Sequence, residues 1–439
     1  MEPAARRRNC VKLVRIVLVL LAGLILLMLA GVEWTLTRRW NALESGIREL
    51  IADEASRDAR RPVAAGGSIP GNAWDDYLKA LEEVAARPAT SMSGPTLFLA
   101  RAASADREWV EGEVAAFEKA LGHLSQGARK AEARIPLRWE GEALVPHSGE
   151  GLLRRLAEIA VCKARLLRER GDARAAADLL LETAQLGRDG ACGTSTEMEW
   201  ESLRALETVF TEMSDLLVSR APKAADLAVL DQGLRAIDQT LASDGRPLLN
   251  DVAFLGTFLL RGDPFIEADS VYRQRRPVLP GPGHLYSMRL LKSDAFQRWR
   301  VAARAYAAAG SGAWAESKGV FDRIVNLLER APENPIVNRL TPPSLETHRA
   351  RKAQLGLLLM AVGFLREGQV GSHVDPFGPP PEPFLSRIQG GRLRVWSRGP
   401  NGVDDEGRVA DRPVNTLGQT TIIGPALGAA DDIVLEVER

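Results

Sequence analysis

The sequence predicts a mainly α fold: an N-terminal transmembrane helix, an irregular helical-repeat or bundle domain, and a small C-terminal antiparallel β segment. Three observations carry this expectation. An uncharged apolar run lies near the N-terminus, apolar residues recur at three- and four-residue spacing through the middle, and the chain turns Pro- and Gly-rich with two-residue alternation after Gly368. They divide the chain into a basic flank (1–15), a membrane helix (16–36), a stalk and linker (37–72), an α-helical domain (73–368) and a β tail (369–439). Aromatic residues make up only 5% of the chain while Ala, Leu, Glu and Arg abound, a composition suited to packed helices.

The run Ile16–Val32 carries no charge. At about 1.5 Å per residue it covers most of a ~30 Å hydrocarbon core, and Trp34 and Leu36 extend it into the interface. Arg6, Arg7, Arg8, Lys12 and Arg15 precede it against the single acid Glu2, whereas Arg38 and Arg39 beyond it are offset by Glu33 and Glu44. That bias places the N-terminus in the cytoplasm and the bulk of the chain in the periplasm, anchored in the inner membrane of a bacterial envelope. The alternative is a cleaved secretory signal. Cutting after Ala30 or Gly31 would leave Met28 or Leu29 where a small residue is wanted, so an uncleaved anchor is the better reading.

Lys and Arg total 57, as do Asp and Glu. A chain without net charge lacks the basic footprint of a nucleic-acid binder, and an envelope protein is the expected partner. Of the three cysteines, Cys10 on the cytoplasmic flank reads as an inert thiol, with acylation as the alternative. Cys162 and Cys192 would meet oxidising conditions outside the membrane. A hairpin turning at Gly171, however, brings Cys162 opposite residues near 180, so a disulfide needs the chain to fold back after Gly190.

Residues 35–54 read as a polar helical stalk, and Arg57–Asn72, rich in Pro, Gly and Arg, as a linker. Helical spacing begins with Trp74, Tyr77, Leu78 and Leu81 and continues, with slippage, through Trp109, Val114, Phe117 and Leu121. The clearest unit is Leu152–Arg188. Leu152, Leu156, Ile159, Lys163 and Leu167 mark one helix face, Gly171 ends the helix, Asp172 offers an N-cap, and Ala176, Leu179, Leu180 and Thr183 face back. Ala303, Gly310, Val320, Phe321, Ile324 and Leu328 echo this hairpin. The unit resembles a single tetratricopeptide hairpin, yet no ~34-residue period links the two copies. Between them, Gly262–His284 reads as a long irregular loop, solvated, with Arg273, Arg275 and Arg276 the alternative contacts for an acidic partner or lipid headgroups.

In the tail, the prolines of His373–Phe384 force an extended crossing. Leu385–Ile388, a Gly390-Gly391 turn and Arg392–Ser397 form a hairpin, with Leu393 and Val395 inward and Arg392, Arg394 and Trp396 outward. Ile433, Leu435 and Val437 alternate along a third strand.

Asp375-Pro376-Phe377-Gly378, the hairpin, Ser397-Arg398-Gly399-Pro400-Asn401-Gly402 and Asp431-Asp432-Ile433 together resemble the C-terminal portion of the major pseudopilins of type II secretion. There an Asp-Pro-aromatic-Gly box, a Ser-x-Gly-x-Asp-Gly turn and an Asp-Ile strand surround a calcium loop. The resemblance implies calcium as the cofactor and Asn401, Asp404, Asp405, Asp431 and Asp432 as oxygen ligands. Asn401 stands where the pattern has Asp, the stretch between Asp405 and Asp431 is longer than implied, and Val403 excludes EF-hand spacing. A solvated acidic turn is the alternative. No prepilin signature exists, because Gly31 and Glu33 lie at the outer end of the apolar run, so polymerisation as a pilin is not expected.

No enzyme is expected. The five histidines (His123, His147, His284, His348, His373) are scattered, and no HExxH, GxSxG or phosphate-loop motif occurs. Asp75-Asp76 and Glu199-Trp200-Glu201 put acids at positions that diverge around a helix. Two functional readings compete: an extracytoplasmic helical scaffold for protein interaction, and an accessory of a type II secretion or pilus-like machine. An enzyme with an unrecognised site is the minor third.

Overall fold

The apolar run belongs to one helix, α1 (Pro3–Ala55), that does not end where the run does. In the computed structural model, which describes residues 3–87, 107–139, 144–145, 151–192, 194–219, 221–241, 245–261, 282–310, 312–329, 345–407 and 432–439, no part of the apolar window of α1 is buried. Beyond it Leu36, Leu43, Ile47 and Leu50 are buried on one face. Their spacing is that of a core-facing helix. The stretch expected to be a polar stalk is therefore an integral core helix. Two glycines make the contact possible. A Cβ on Gly46 would stand 2.7 Å from the Arg300 guanidinium and 3.0 Å from the Phe296 ring, and one on Gly256 would stand 2.7 Å from Ile47.

The expected linker is also built in. Arg61 is buried and its side chain lies 3.1 Å from the Asp189 carboxylate. The backbone N–H of Ala64 donates to Gln185 Oε1 at 3.1 Å. Short strand β1 (Ile69–Asn72) pairs in parallel with β2 (Lys130–Glu132). Composition cannot show this, because the carboxylate that pairs with Arg61 lies more than a hundred residues away.

Hairpins then stack in two layers. Helix α2 (Trp74–Ala85) buries Trp74, Tyr77 and Leu81, whose rings include an edge-to-face Trp74–Tyr77 pair. Helices α3 (Arg107–Ala116) and α4 (Glu118–Ala128) are separated by a break at Phe117, which accounts for the slipping period there. Helices α5 (Leu152–Glu169) and α6 (Ala173–Ala191) form the expected hairpin. Gly171 adopts φ +83°, and the Asp172 side chain accepts from Ala175 N at 3.0 Å, a cap of about 1 kcal/mol. Next come α7 (Thr196–Val218) and α8 (Ala224–Asp238). Helices α2, α5 and α7 lie side by side in one layer; α4, α6 and α8 lie side by side in the other. Within each layer this is the stacking order of a helical-repeat array, irregular at its end, where α7 and α8 each pack on α12.

A second group packs α9 (Arg246–Arg261) and α10 (Pro282–Gly310) on α1. Helix α11 (Trp314–Glu329) folds back on α10, as the second hairpin echo implies. Residues 262–281, with Arg273, Arg275 and Arg276, lie outside the described residues. Pro282 to His284, expected in the same loop, open α10. Cys162 and Cys192 form no disulfide: Cys162 is buried, and Cys192 Sγ donates to the Thr240 carbonyl at 3.6 Å.

Helix α12 (Leu345–Glu367) closes the stack against α7 and α8 and carries the tail. Strands β3 (Leu385–Gln389), β4 (Arg392–Ser397) and β5 (Ile433–Glu438) form an antiparallel sheet in the order β3-β4-β5. Gly390 and Gly391 both take positive φ, 59° and 81°, as a two-residue hairpin turn demands. Leu393, Val395, Ile433, Leu435 and Val437 are buried and join the same hydrophobic core as the helices. Trp396, expected on the outer face, is 6% exposed because the loop after β4 folds over it.

Candidate metal loop and the C-terminal module

The tail is organised around two buried carboxylates. Asp375, 1% exposed, stands in the extended crossing after α12. Its Oδ1 accepts from Ser397 Oγ at 2.6 Å and from Phe377 N at 3.0 Å, while Oδ2 accepts from Arg398 N at 2.9 Å. Ser397 Oγ in turn accepts from Gly399 N at 3.3 Å. The Asp-Pro-Phe-Gly box and the Ser-Arg-Gly turn, apart in sequence, are thus one hydrogen-bonded clamp. Phe384 presses its ring against Gly356 of α12, where a Cβ would sit 2.4 Å from it, and so fixes the clamp to the helical core.

Asp432, fully buried directly before β5, holds the acidic loop. Its Oδ2 accepts from Gly407 N at 2.9 Å and Asp405 N at 3.2 Å. Among the described residues its Oδ1 is buried without a hydrogen-bond partner. Burial pushes the Asp432 carboxyl up to about 6, with the nearby Asp405 and Asp404 charges adding to the rise. Asp404 is turned the other way: its Oδ1 accepts from the Trp396 indole N–H at 3.0 Å and from Glu406 N at 2.9 Å, and the indole bond holds its carboxyl below the usual range. Asn401 donates to Asp405 Oδ2 at 2.9 Å and accepts from Val403 N at 2.9 Å. Positive φ at Gly402, Glu406 and Gly407 lets the loop curl back on these side chains.

Of the five expected ligands, Asn401, Asp404, Asp405 and Asp432 are described, and Asp431 lies outside the described residues. The loop gathers the four into one turn, where Asn401 Oδ1, Asp404 Oδ1 and Asp432 Oδ2 accept from backbone or indole donors and Asp405 Oδ2 accepts from the Asn401 amide. Among the described residues no three acids, histidines or cysteines converge as a metal site would require. A calcium ion takes six to eight oxygens, so the described oxygens are a partial set, in which Asp432 Oδ1 is buried with no donor among the described residues.

The fold also assembles polar residues that spacing never linked. His348 Nε2 of α12 lies 2.7 Å from Glu199 Oε1 of α7, both buried. Asp251 of α9 accepts from Thr196 N at 2.9 Å and Thr196 Oγ1 at 2.5 Å, capping the first turn of α7. Its burial raises that carboxyl to about 7, the Thr196 bonds opposing the rise and Glu199 adding to it. Three helices thereby meet at one polar seam. Glu158 of α5, which also packs on α7, is pushed up to about 8 by burial, and its Oε2 has no hydrogen-bond partner among the described residues. No short-range sequence signal foretold either grouping, since each depends on which helices become neighbours.

No protein-family model, curated protein or solved structure matches the chain.

Proposed function

We propose that this protein is a membrane-anchored, extracytoplasmic helical scaffold for protein interaction, with the C-terminal sheet and its loop as a pseudopilin-like docking module. The observation that carries the reading is α1: its apolar run is exposed, and beyond it Leu36, Leu43, Ile47 and Leu50 on one face are buried in the core of the hairpin stack. An apolar helix surface of that size calls for lipid, and stacked hairpins present extended faces suited to protein partners. The charge bias around the run supports a folded part outside the cytoplasm. Fusing alkaline phosphatase to the C-terminus tests the topology: activity is expected, and cytoplasmic fluorescence from the matching fluorescent-protein fusion would overturn it.

The second reading, an accessory of a type II secretion or pilus-like machine, is favoured by the clamp between the Asp375 box and the Ser397 turn, and by Asp432 beneath the acidic loop. Calcium, held by Asn401, Asp404, Asp405, Asp431 and Asp432, would neutralise charge crowded there and stiffen the loop. Thermal melting of the detergent-solubilised chain beside Asp432→Asn decides this point. A calcium-dependent rise absent from the variant supports the module, and no response at millimolar calcium removes calcium from the reading. The polar seam of Glu199, Asp251 and His348 ties helices together, and an interaction protein needs nothing further from it.

A further inference from the structure

The side chains of the C-terminal sheet fall into rows that cross its three strands. On the outer face one row is Arg387, Arg394 and Glu436. On the face toward the helices one row is Ile388, Leu393 and Val437, and the next is Ser386, Val395 and Leu435. Helix α12 lies against β4 and β5, and α7 against β5, so the members of these rows on β4 and β5 are buried. Ile388 continues a buried apolar row and is nevertheless 52% exposed. Ser386, Arg387 and Gln389 beside it are exposed as well.

The far edge of β3 carries free backbone groups. A two-residue turn closes on Gln389 and Arg392, a pair that exchanges hydrogen bonds across the hairpin, and Arg387 and Leu385 repeat that role at every second position. On the other flank of β4 the Arg439 N–H donates to the Gly391 carbonyl at 3.1 Å, as the same alternation requires. The N–H and C=O of Ser386 and Ile388 therefore point away from β4. Among the described residues nothing pairs with them.

Charge decides what fits this edge. Arg387 stands directly opposite Arg394, and like charges so placed repel. Arg394 reaches the Gly407 carbonyl at 2.7 Å and Arg392 pairs with Glu438 at 3.5 Å, whereas among the described residues no acid pairs with Arg387. One strand further out, an acidic residue beside Arg387 and apolar residues beside Ser386 and Ile388 would complete both faces. A second copy of β3 fits poorly, because antiparallel pairing centred on Arg387 sets guanidinium against guanidinium.

We propose that the free edge of β3 takes an extended segment of a partner protein by strand addition, held by the backbone of Ser386 and Ile388 and selected by an acidic residue beside Arg387. The inference rests on the C-terminal sheet being a docking module, and it names the edge and the chemistry of the docking.

The test is fluorescence anisotropy with the detergent-solubilised full-length chain and a dye-labelled, end-capped peptide, Thr-Val-Glu-Val-Thr. In the antiparallel register its Glu falls opposite Arg387 and its two Val opposite Ile388 and Ser386. Expected is saturable binding that weakens about three- to ten-fold when Lys replaces the peptide's Glu, with the preference reversed in Arg387→Glu. Methylating the two Val nitrogens, which leaves the protein untouched, should lower affinity about ten-fold or more. Binding that ignores both the charge and the methylation overturns edge addition and leaves the sheet a docking module through another surface. No binding by any peptide at millimolar concentration overturns the edge site and removes peptide docking from the module reading as well. Self-association in sedimentation that Ile388→Pro abolishes would assign the edge to a second copy and overturn the partner.

Discussion

Removing the Asp189 carboxylate should cost the fold several kcal/mol. Asp189 is fully enclosed on α6 and collects four donors: Tyr77 Oη at 3.0 Å and Arg61 Nη2 at 3.1 Å on Oδ2, Arg188 Nη1 at 2.7 Å and Gln185 Nε2 at 3.2 Å on Oδ1. The Arg61 side chain is 1% exposed and keeps only the carbonyls of Gly127 and Ala128 and the Tyr77 hydroxyl once the carboxylate is gone. Asp189→Ala therefore leaves two guanidinium groups in the interior without a counter-ion. Breaking one partner of a buried pair costs about 3–5 kcal/mol, a large share of the roughly 5–15 kcal/mol that holds a domain together. Arg61→Met is expected to cost less, because Arg188 still neutralises Asp189, and the double variant should fall short of the sum by about 0.5–3 kcal/mol. Urea unfolding followed by helical circular dichroism on the solubilised chain gives all three values. A loss below about 1 kcal/mol for Asp189→Ala, or strict additivity, would refute the claim that this network pins residues 61–64 to the hairpin stack.

Gly256→Val should push Ile47 and Phe296 apart and cost about 1–3 kcal/mol, read by the same melt; an unchanged midpoint would mean the helices contact α1 more loosely than described. Asp375→Ala should free the turn at Ser397–Gly399 and expose the tail to limited proteolysis while the hairpin stack stays resistant; loss of the entire fold would show that the clamp is not local. Stability should rise as pH falls from 8 toward 5. Glu158, Asp251 and Asp432 have folded-state values near 8, 7 and 6, above their ordinary ones, so the folded protein binds more protons than the unfolded chain across that window. Each contributes a slope approaching about 1.4 kcal/mol per pH unit between its two values. Glu158→Gln should raise the melting temperature at pH 8 and flatten its dependence above pH 6; an unaltered profile would mean that Glu158 finds a partner in solution.

What was legible in the sequence is what local chemistry decides. An uncharged run, a Gly at a left-handed helix end followed by an Asp cap, a Gly-Gly turn between alternating strands: each needs only neighbours within a few residues, and α1, the α5–α6 hairpin and the β3–β4 hairpin follow from them. What stayed hidden depends on distant partners. Arg61 looks like linker composition until Asp189 stands beside it. Trp396 alternates with inward residues and reads as exposed until Gly407 packs on its ring and Asp404 takes its N–H. The acidic loop was legible as a cluster, but not that Asp432 would spend one oxygen on the backbone and keep the other without a donor. The seam of Glu199, Asp251 and His348 had no local signature at all.

The helix α1 decides how the proposed scaffold would work. A flexible stalk would let the folded domain roam and would set only its local concentration near the membrane. Here the exposed apolar run and the core-facing residues Leu36, Leu43, Ile47 and Leu50 share one unbroken helix, so an anchor formed by that run would transmit its tilt and rotation directly to the hairpin stack. Helices α9 and α10 brace that helix from Arg39 to Glu49. The C-terminal sheet, seated on α12 and touching α7, inherits the same fixed orientation through a continuous core. A partner that docks on the sheet then meets a surface already oriented relative to the bilayer, and loses less rotational freedom on binding than it would to a tethered module. Such an arrangement favours partners that are themselves fixed in or on the membrane, because only they can match an orientation set in advance.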